Sequence, residues 1–337
     1  MKYFIFFLLG VFLLSCQNEI SKQYCLTDIS EKVAHTNNIP VNIDESYFSS
    51  PVLCQDKYLI FHNRDRIDQC LAIYDLESLK PLGYTGIKGE GPGQIIEGGN
   101  PMPYKDGFLV FDLAKFIIFY FNIEEAIADR NYLPETFCSI RDRNNFPLHI
   151  SMLNDSLYLG SKCTFPSPLN YYFNFVKGNI LTGETTNFSD LNPALDSVKL
   201  NFNICSPPGR FVVAYSDYHL LSIYNRKGEV VREIYGEKAL KKRKRRSYFG
   251  KPHWAGNDLF IDHHTGYSHI KDKRGRWKDV GSEEILHFDL DGNYIETIRL
   301  DHNVSTFTIF PSRKQLLVYL KDSDHPYVLV PYDPVGS

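Results

Sequence analysis

Residues 86–121 of the 337-residue chain read GIKGEGPGQIIEGGNPMPYKDGFLVFDLAKFIIFYF. A glycine-rich stretch comes first, and two short apolar runs follow it at 107–111 and 116–121, with a turn between them. Short runs of β-branched and aromatic residues bounded by Gly, Pro and Asp are typical of strands joined by tight turns. The segment therefore predicts a pair of β-strands that follows a glycine-rich connector.

The same pattern of strand, turn and strand recurs along the rest of the chain. The units begin at intervals of roughly 40 to 60 residues, which is the length of a four-stranded propeller blade. Helical periodicity is confined to residues 123–130, where the third strand of one unit passes into the fourth. We therefore predict an all-β fold, a six-bladed β-propeller. A β-sandwich is the rival architecture, but it does not predict this repeated strand order.

The stretch before the first unit also alternates like a strand. Residues 39–43 read IPVNI. We expect this N-terminal strand to close the last blade by pairing near residues 327–332, because closure leaves no open sheet edge. The predicted organisation is a signal peptide at 1–15, a lipidated cysteine and flexible tether at 16–38, and a monomeric propeller at 39–337.

Residues 83–121 resemble an NHL-type propeller repeat. The shared features are a connector with a Gly-Pro-Gly core at 91–93, a proline at 101 or 103, the strand DGFLVFD at 106–112, and an aliphatic and aromatic third strand. The likeness extends to six-bladed, TolB-like propeller lipoproteins of Bacteroides-type bacteria. It implies the fold far more than any function, because the other units keep only the skeleton of strands and turns.

The N-terminus predicts export. Lys2 is followed by an apolar run at 3–14, which is shorter than the roughly 20 residues that a membrane-spanning helix needs. The run ends in Leu13-Leu14-Ser15-Cys16, which resembles the lipobox of bacterial lipoproteins. By that resemblance Cys16 carries the lipid that holds the protein in the cell envelope, with the outer membrane favoured. An ordinary signal peptide is the alternative.

Composition excludes several classes of protein. Hydrophobic residues make up 43% of the chain and aromatic residues 14%, which is typical of a folded domain rather than a disordered chain. The net charge of −3 gives no overall attraction to nucleic acid, and an exported protein has no such partner. The six cysteines after Cys16 stand singly in apolar stretches. We interpret them as small buried side chains, although an even number in an oxidising compartment permits disulfides.

One local patch departs from this balance. The run KALKKRKRR at 238–246 connects the fourth unit to the fifth, and the insertion at 263–284 in the fifth unit is rich in basic and aromatic residues. In an up-and-down blade the loop between the second and third strands lies on the same face as the connector between blades. We therefore predict one ligand-binding face. Its candidate residues are Arg64, Arg66, Lys242, Arg243, Arg245, Arg246, His263, Tyr267 and Trp277.

Cations beside aromatic rings suit an anionic glycan, and an envelope protein is the other candidate partner. A solvated loop with no ligand is the alternative interpretation of the run. The glycine connector is not a phosphate loop, because no Gly-Lys-Ser/Thr sequence and no helix follow it. Asp262-His263-His264 is a poor metal motif, because neighbouring side chains on an extended chain point to opposite faces.

No catalytic residue can be assigned from the sequence, and no cofactor is expected. We predict a non-catalytic binding or scaffold module, anchored to a membrane through its lipid. The alternative is an enzyme of the lactonase or lyase kind that NHL-like propellers support, with a divalent metal on the propeller axis.

Overall fold

The computed structural model describes residues 23–26, 31–35, 39–43, 50–63, 66–140, 146–167, 170–189, 192, 194–195, 200–237, 240–242, 247–264, 269–271, 273–275, 277–321 and 323–336. The strands in these ranges are β1 (Gln23–Cys25), β2 (Val33–His35), β3 (Ile39–Val41), β4 (Val52–Cys54), β5 (Tyr58–His62), β6 (Gln69–Asp75), β7 (Pro81–Ile87), β8 (Met102–Tyr104), β9 (Gly107–Asp112), β10 (Ile117–Asn122), β11 (Glu135–Ser139), β12 (Pro147–Met152), β13 (Leu157–Ser167), β14 (Asn170–Asn179), β15 (Thr185–Ser189), β16 (Phe202–Cys205), β17 (Arg210–Tyr215), β18 (Leu220–Asn225), β19 (Val230–Tyr235), β20 (His253–Ala255), β21 (Asp258–His263), β22 (His269–Lys271), β23 (Trp277–Asp279), β24 (Ser282–Asp289), β25 (Tyr294–Phe310), β26 (Gln315–Leu320) and β27 (Tyr327–Pro331). The helix α1 (Ile123–Ala128) lies between β10 and β11, and a 3-10 turn (Pro311–Arg313) lies between β25 and β26. No helix in these ranges is long and apolar enough to cross a membrane.

Four sheets each contain four consecutive antiparallel strands in up-and-down order: β4–β7, β8–β11, β12–β15 and β16–β19. The sheets pack face to face. Ile60 and Ile73 of the first sheet share a buried cluster with Val110 and Phe119 of the second. Strands β5, β9 and β21 are buried at every position, because each lies in a sheet covered on both faces. This explains why the middle of each strand, such as residues 259–261 of β21, is continuously apolar rather than alternating.

The remaining main sheet has eight strands. Its path runs β20-β21-β24-β25-β26-β27-β3, and β2 pairs with β25 beside this path. Strand β25 is 17 residues long. Its first half pairs with β24, and its second half pairs with β26. The sheets together form a propeller-like arrangement, which confirms the predicted all-β class.

The predicted closing strand is also observed. Strand β3 pairs antiparallel with β27, with Ile39 opposite Leu329 and Val41 opposite Tyr327. Residues 39–41 and 327–329 are nearly the whole chain apart, so this pairing ties the two ends of the fold together. It also gives the edge strand β27 a hydrogen-bonding partner, as the closure argument requires.

The segment predicted to be a flexible tether, 16–38, contains two strands in the structure, which corrects that prediction for residues 23–25 and 33–35. Strand β1 pairs parallel with β19, and β2 pairs parallel with the first half of β25. Both strands have three residues, too few for alternation to reveal them in the sequence. An ion pair between Glu31 and Arg299 fastens the same stretch. Cys16 and the predicted signal peptide lie outside the described residues.

The glycine-rich segment is a connector between β7 and β8, as predicted. Gly86 and Gly93 have φ values of 72° and 71°, a backbone region that glycine adopts without a steric penalty. The buried carboxylate of Asp112 accepts hydrogen bonds from four backbone N–H groups: those of Ile96, Glu97, Ala114 and Lys115. The connector is therefore held by its own polar contacts.

Candidate ligand-binding site

Six strands surround a cavity with a volume of about 550 Å³. They are β4, β8, β12, β16, β20 and the second half of β25, so each four-stranded sheet contributes its first strand. Strand β25 contacts β20 on one side and β4 on the other, which continues the circle of first strands. We call this space the central cavity. Its volume is in the range of sites that hold small organic molecules.

Lys251 provides the positive charge of the central cavity. It comes two residues before β20, at the end of the segment 236–252, which we call the basic connector. Among the residues that the structure describes, no carboxylate pairs with its ammonium group, and no Asp or Glu lines the cavity. Partial burial lowers the pKa of Lys251, because the ammonium group has lost part of its water without a carboxylate partner among the described residues.

Two histidines line the cavity with Lys251. Burial, together with the positive charge of Lys251, lowers the pKa of His149 to about 4 and holds that of His253 well below its usual range. Both imidazoles are therefore neutral near pH 7, and each has hydrogen-bonding nitrogens but no charge. His149 belongs to β12 and His253 to β20, so Lys251 acts on side chains from two different sheets.

The ring of His253 is held in place by a short relay of hydroxyl groups. Its Nε2 atom lies 3.2 Å from Ser50 Oγ, and Ser50 Oγ lies 2.5 Å from Thr306 Oγ1. Cys205 also lines the cavity. Burial raises the pKa of its thiol, so Cys205 stays protonated and is not a nucleophile.

Neutral side chains complete the wall. Trp254 is 38% exposed, and it lines the cavity together with Asn100, Asn203 and Ser151. A partly exposed indole offers a flat apolar face, and amide and hydroxyl groups offer both donors and acceptors. The central cavity therefore combines one cation, two neutral imidazoles, polar side chains and an aromatic ring.

The described members of the predicted ligand-binding face have partners within the chain. The guanidinium of Arg66 lies over the ring of Tyr84, 3.8 Å from its centre. Lys242 Nζ lies 4.0 Å from a carboxylate oxygen of Asp217. His263 is buried, and its two ring nitrogens lie 2.8 Å from His219 and 2.8 Å from Glu284. These three side chains therefore do not converge on one open site.

The other predicted face residues cannot be placed. Arg64, Arg243, Arg245, Arg246 and Tyr267 lie outside the described residues. The backbone of Trp277 begins β23 and pairs with Lys271, but the Trp277 side chain lies outside the described part.

Tyr248, in the described part of the basic connector, contacts the loop after β17 and the end of β21. The ring of Tyr248 stacks on His219 at 4.4 Å, and the Tyr248 N–H donates to the carbonyl of Ser216 at 2.9 Å. On the other side, the His264 N–H donates to the carbonyl of Tyr248 at 2.9 Å. Tyr248 thus lies between loops of two neighbouring sheets.

The histidine-rich part of the last main sheet is a hydrogen-bonded network. Burial alone would raise the pKa of Glu284, but its bonds to His263 and Arg299 outweigh burial and lower it. His287 lies between two carboxylates, 2.8 Å from Asp258 and 3.1 Å from Glu296. No group of three or more His, Cys, Asp or Glu in the described ranges is arranged to hold a metal.

Sequence reasoning missed the central cavity. It identified the basic run but stopped at Arg246, five residues before Lys251. The run Lys251-Pro252-His253-Trp254 directly precedes and enters an inner strand, and inner strands face the axis in a propeller. That position was the available signal. No sequence signal indicated His149 or Asn203, because nothing local distinguishes them from other half-buried polar residues.

Two solved structures from Bacteroides resemble nearly the whole chain. A member of the DUF4221 family from Bacteroides vulgatus covers 89% of this chain and 96% of its own, at 12% identity and a TM-score of 0.53. A candidate exported protein from Bacteroides fragilis covers 91% of this chain and 98% of its own, at 10% identity and a TM-score of 0.51. At these identities the likeness shows the fold alone. No protein-family model and no curated protein matches the sequence.

Proposed function

We propose that the protein is an exported, lipid-anchored, six-bladed β-propeller that acts as a non-catalytic binding module, with its ligand in the central cavity. The observation that carries the proposal is Lys251, a cation without a carboxylate partner among the described residues, on the wall of that cavity. A lysine ammonium that loses water without gaining a counterion costs stability. A bound anion would provide the missing counterion and offset that cost.

The blade count rests on the eight-stranded sheet. Its long strand β25 pairs on one half with β24 and on the other with β26. We infer that the first half is the outer strand of a fifth blade, and that the second half is the inner strand of a sixth. The lining supports this inference, because the second half of β25 joins five other first strands around the central cavity.

The lipid anchor rests on the sequence. The apolar run at 3–14 and Leu13-Leu14-Ser15-Cys16 suit a lipoprotein signal, and one protein of similar fold is a candidate exported protein. Cys16→Ala tests the anchor in a detergent-free fractionation of the producing cells. We expect the variant to leave the membrane fraction. Unchanged membrane partitioning would refute lipidation at Cys16.

The charge of the central cavity favours binding over the enzyme alternative. A lactonase or lyase of the expected kind needs a divalent cation on the axis, and such cations prefer carboxylate oxygens. The described lining instead presents the ammonium of Lys251, which repels a cation. An anionic glycan, the ligand class expected from the sequence, fits this charge; a protein partner for the outer face stays a second candidate.

The binding function is tested by filling the cavity. Asn203→Trp places an indole in the cavity from β16, and Asn100→Trp places one from the connector before β8. Leu181→Trp, at an exposed turn, is the matched control. Calorimetry with neutral, acidic and amino sugars should find a ligand for the natural protein that both cavity variants lose and the control keeps. If every ligand found binds all four proteins equally, the central cavity is not the binding site.

A further inference from the structure

We propose that the central cavity selects a sugar-sized molecule with a single carboxylate, such as a sugar acid, and that Lys251 is the counterion of that carboxylate. This inference rests on the proposed binding function and narrows it to one class of ligand. The recognition elements are Lys251, His149, His253, Trp254, Asn100 and Asn203.

The charge on the cavity wall matches one negative charge. Lys251 is the only side chain among the described lining residues that carries a formal charge near pH 7, because His149 and His253 are neutral there. A phosphate carries up to two charges, and proteins hold it with guanidinium forks, helix N-termini or several backbone N–H groups. One ammonium on a flexible stem is a weaker match for phosphate and a sufficient one for a carboxylate.

A second lysine shows how this chain satisfies an ammonium group when its role is structural. Lys115 Nζ donates to the carbonyl of Gly91 at 2.9 Å and to that of Gln94 at 2.7 Å. Lys251 has no such bond to any described residue, although it is half-buried beside Cys205 and two imidazoles. The ammonium of Lys251 is therefore in place for a group that the described residues do not supply.

The neutral part of the wall fits a sugar ring. The indole of Trp254 offers a face for the C–H groups of a pyranose, and the amides of Asn100 and Asn203 offer partners for hydroxyl groups. The volume of about 550 Å³ accommodates one or two sugar rings. A bare inorganic anion would leave most of this surface unused.

The experiment measures calorimetric affinities for four probes: glucuronate, galacturonate, glucose and glucose 6-phosphate. We expect one of the two uronates to bind the natural protein at least tenfold more tightly than glucose or glucose 6-phosphate. Lys251→Met should weaken uronate binding at least tenfold and leave glucose binding unchanged. Lys177→Met, at an exposed position on another sheet, is the matched control and should bind like the natural protein.

Two further measurements separate the central cavity from the basic connector. Uronate binding at the half-buried Lys251 should fall less than threefold between 50 and 300 mM salt, whereas binding at exposed lysines and arginines would fall steeply. The affinity should also decline at alkaline pH below the ordinary lysine range, because burial lowers the pKa of Lys251. If Lys251→Met does not fold, Lys251→Gln serves in its place, with circular dichroism as the check.

The outcomes are distinct. Tighter binding of glucose or of glucose 6-phosphate than of either uronate overturns the carboxylate inference, and so does equal uronate binding by Lys251→Met. If Asn203→Trp abolishes binding of that glucose or glucose 6-phosphate, the proposed binding function stands without the inference. If none of the four probes binds at millimolar concentration, the inference is wrong.

Discussion

The glycine connector, between β7 and β8, and the basic connector, before β20, each lead into an inner strand. They differ in whether the charged side chain beside them has hydrogen-bond partners within the described residues. The glycine connector leads into β8, and its lysine and carboxylate partners, Lys115 and Asp112, have their hydrogen bonds made by the backbone. The basic connector leads into β20 and ends at Lys251, whose ammonium has no bond to any described residue. The glycine connector is therefore held by charged side chains from β9 and the turn after it, whereas the charged side chain of the basic connector has no partner among the described residues.

The difference teaches where to look for function in a repeated fold. Both connectors contain polar groups removed from water, and such groups cost stability unless they are paired. The charged groups of Asp112 and Lys115 form hydrogen bonds with the backbone of the glycine connector, so these charges stabilise the fold. In the basic connector the charge at the cavity wall has no carboxylate partner among the described residues, which is why we propose a ligand as its counterion.

The largest effect should follow from removing the Asp112 carboxylate, which holds the glycine connector. Asp112→Ala leaves four backbone N–H groups without their acceptor in a buried site, and we expect a loss of about 3 kcal/mol in the free energy of unfolding. Urea denaturation measures it. Glu97→Ala, at an exposed neighbouring position, is the control and should change little. A loss below about 1 kcal/mol for Asp112→Ala would show that the hydrogen bonds of Asp112 do not stabilise the glycine connector as we expect.

The second effect compares the two lysines directly. Lys115→Met removes two charge-assisted bonds to the carbonyls of Gly91 and Gln94, and we expect a loss of about 2 kcal/mol. Lys251→Met removes a partly buried ammonium that has no partner among the described residues, so the free energy of unfolding should stay unchanged or rise. Thermal and urea unfolding of both variants test the pair. Equal losses in the two variants would contradict the distinction between structural and open charge.

A smaller effect concerns acid stability beside the basic connector. Bonds to His263 and Arg299 lower the pKa of Glu284 below its usual value, so the folded state holds this carboxylate charged more strongly than the unfolded state. The resulting stability is present above the unfolded pKa and is lost as the pH falls through the folded one. Glu284→Gln should therefore lose less stability than the natural protein as the pH falls below 4.5.

Urea unfolding from pH 6 to pH 3 provides that measurement. Glu184→Gln, at an exposed position just before β15 and away from this network, is the control. An identical acid dependence in the natural protein and in Glu284→Gln would show that this network does not contribute to acid stability.

The smallest effect is expected at the outer part of the basic connector. Lys242 lies 4.0 Å from Asp217, and an ion pair of this length with partial exposure contributes a few tenths of a kcal/mol. Lys242→Met should therefore leave unfolding within about 0.5 kcal/mol of the natural protein. If Lys242→Met lowered the free energy of unfolding by more than about 1 kcal/mol in urea denaturation, the Lys242–Asp217 ion pair would stabilise the fold as a structural contact.

Much of the fold was predictable, and most of the candidate site was not. The glycine connector, the short helix after β10 and the pairing of residues 39–41 with the last strand all follow from local patterns. The predicted ligand-binding face was argued from charge density. Its described members, Arg66, Lys242 and His263, each have a partner that sequence cannot reveal, because the partners lie up to 44 residues away.

The sequence by itself determined most strands and turns of the main sheets, although not β1 and β2, because alternation, glycine and aspartate act over a few neighbouring residues. Only the tertiary structure decided which side chains share the central cavity. Val52, His149, Asn203, Lys251 and Thr308 come from strands or connectors far apart in the chain and meet because the sheets are arranged around one axis. Whether Lys251 finds a carboxylate depends on what all those strands contribute, and no local pattern contains that information.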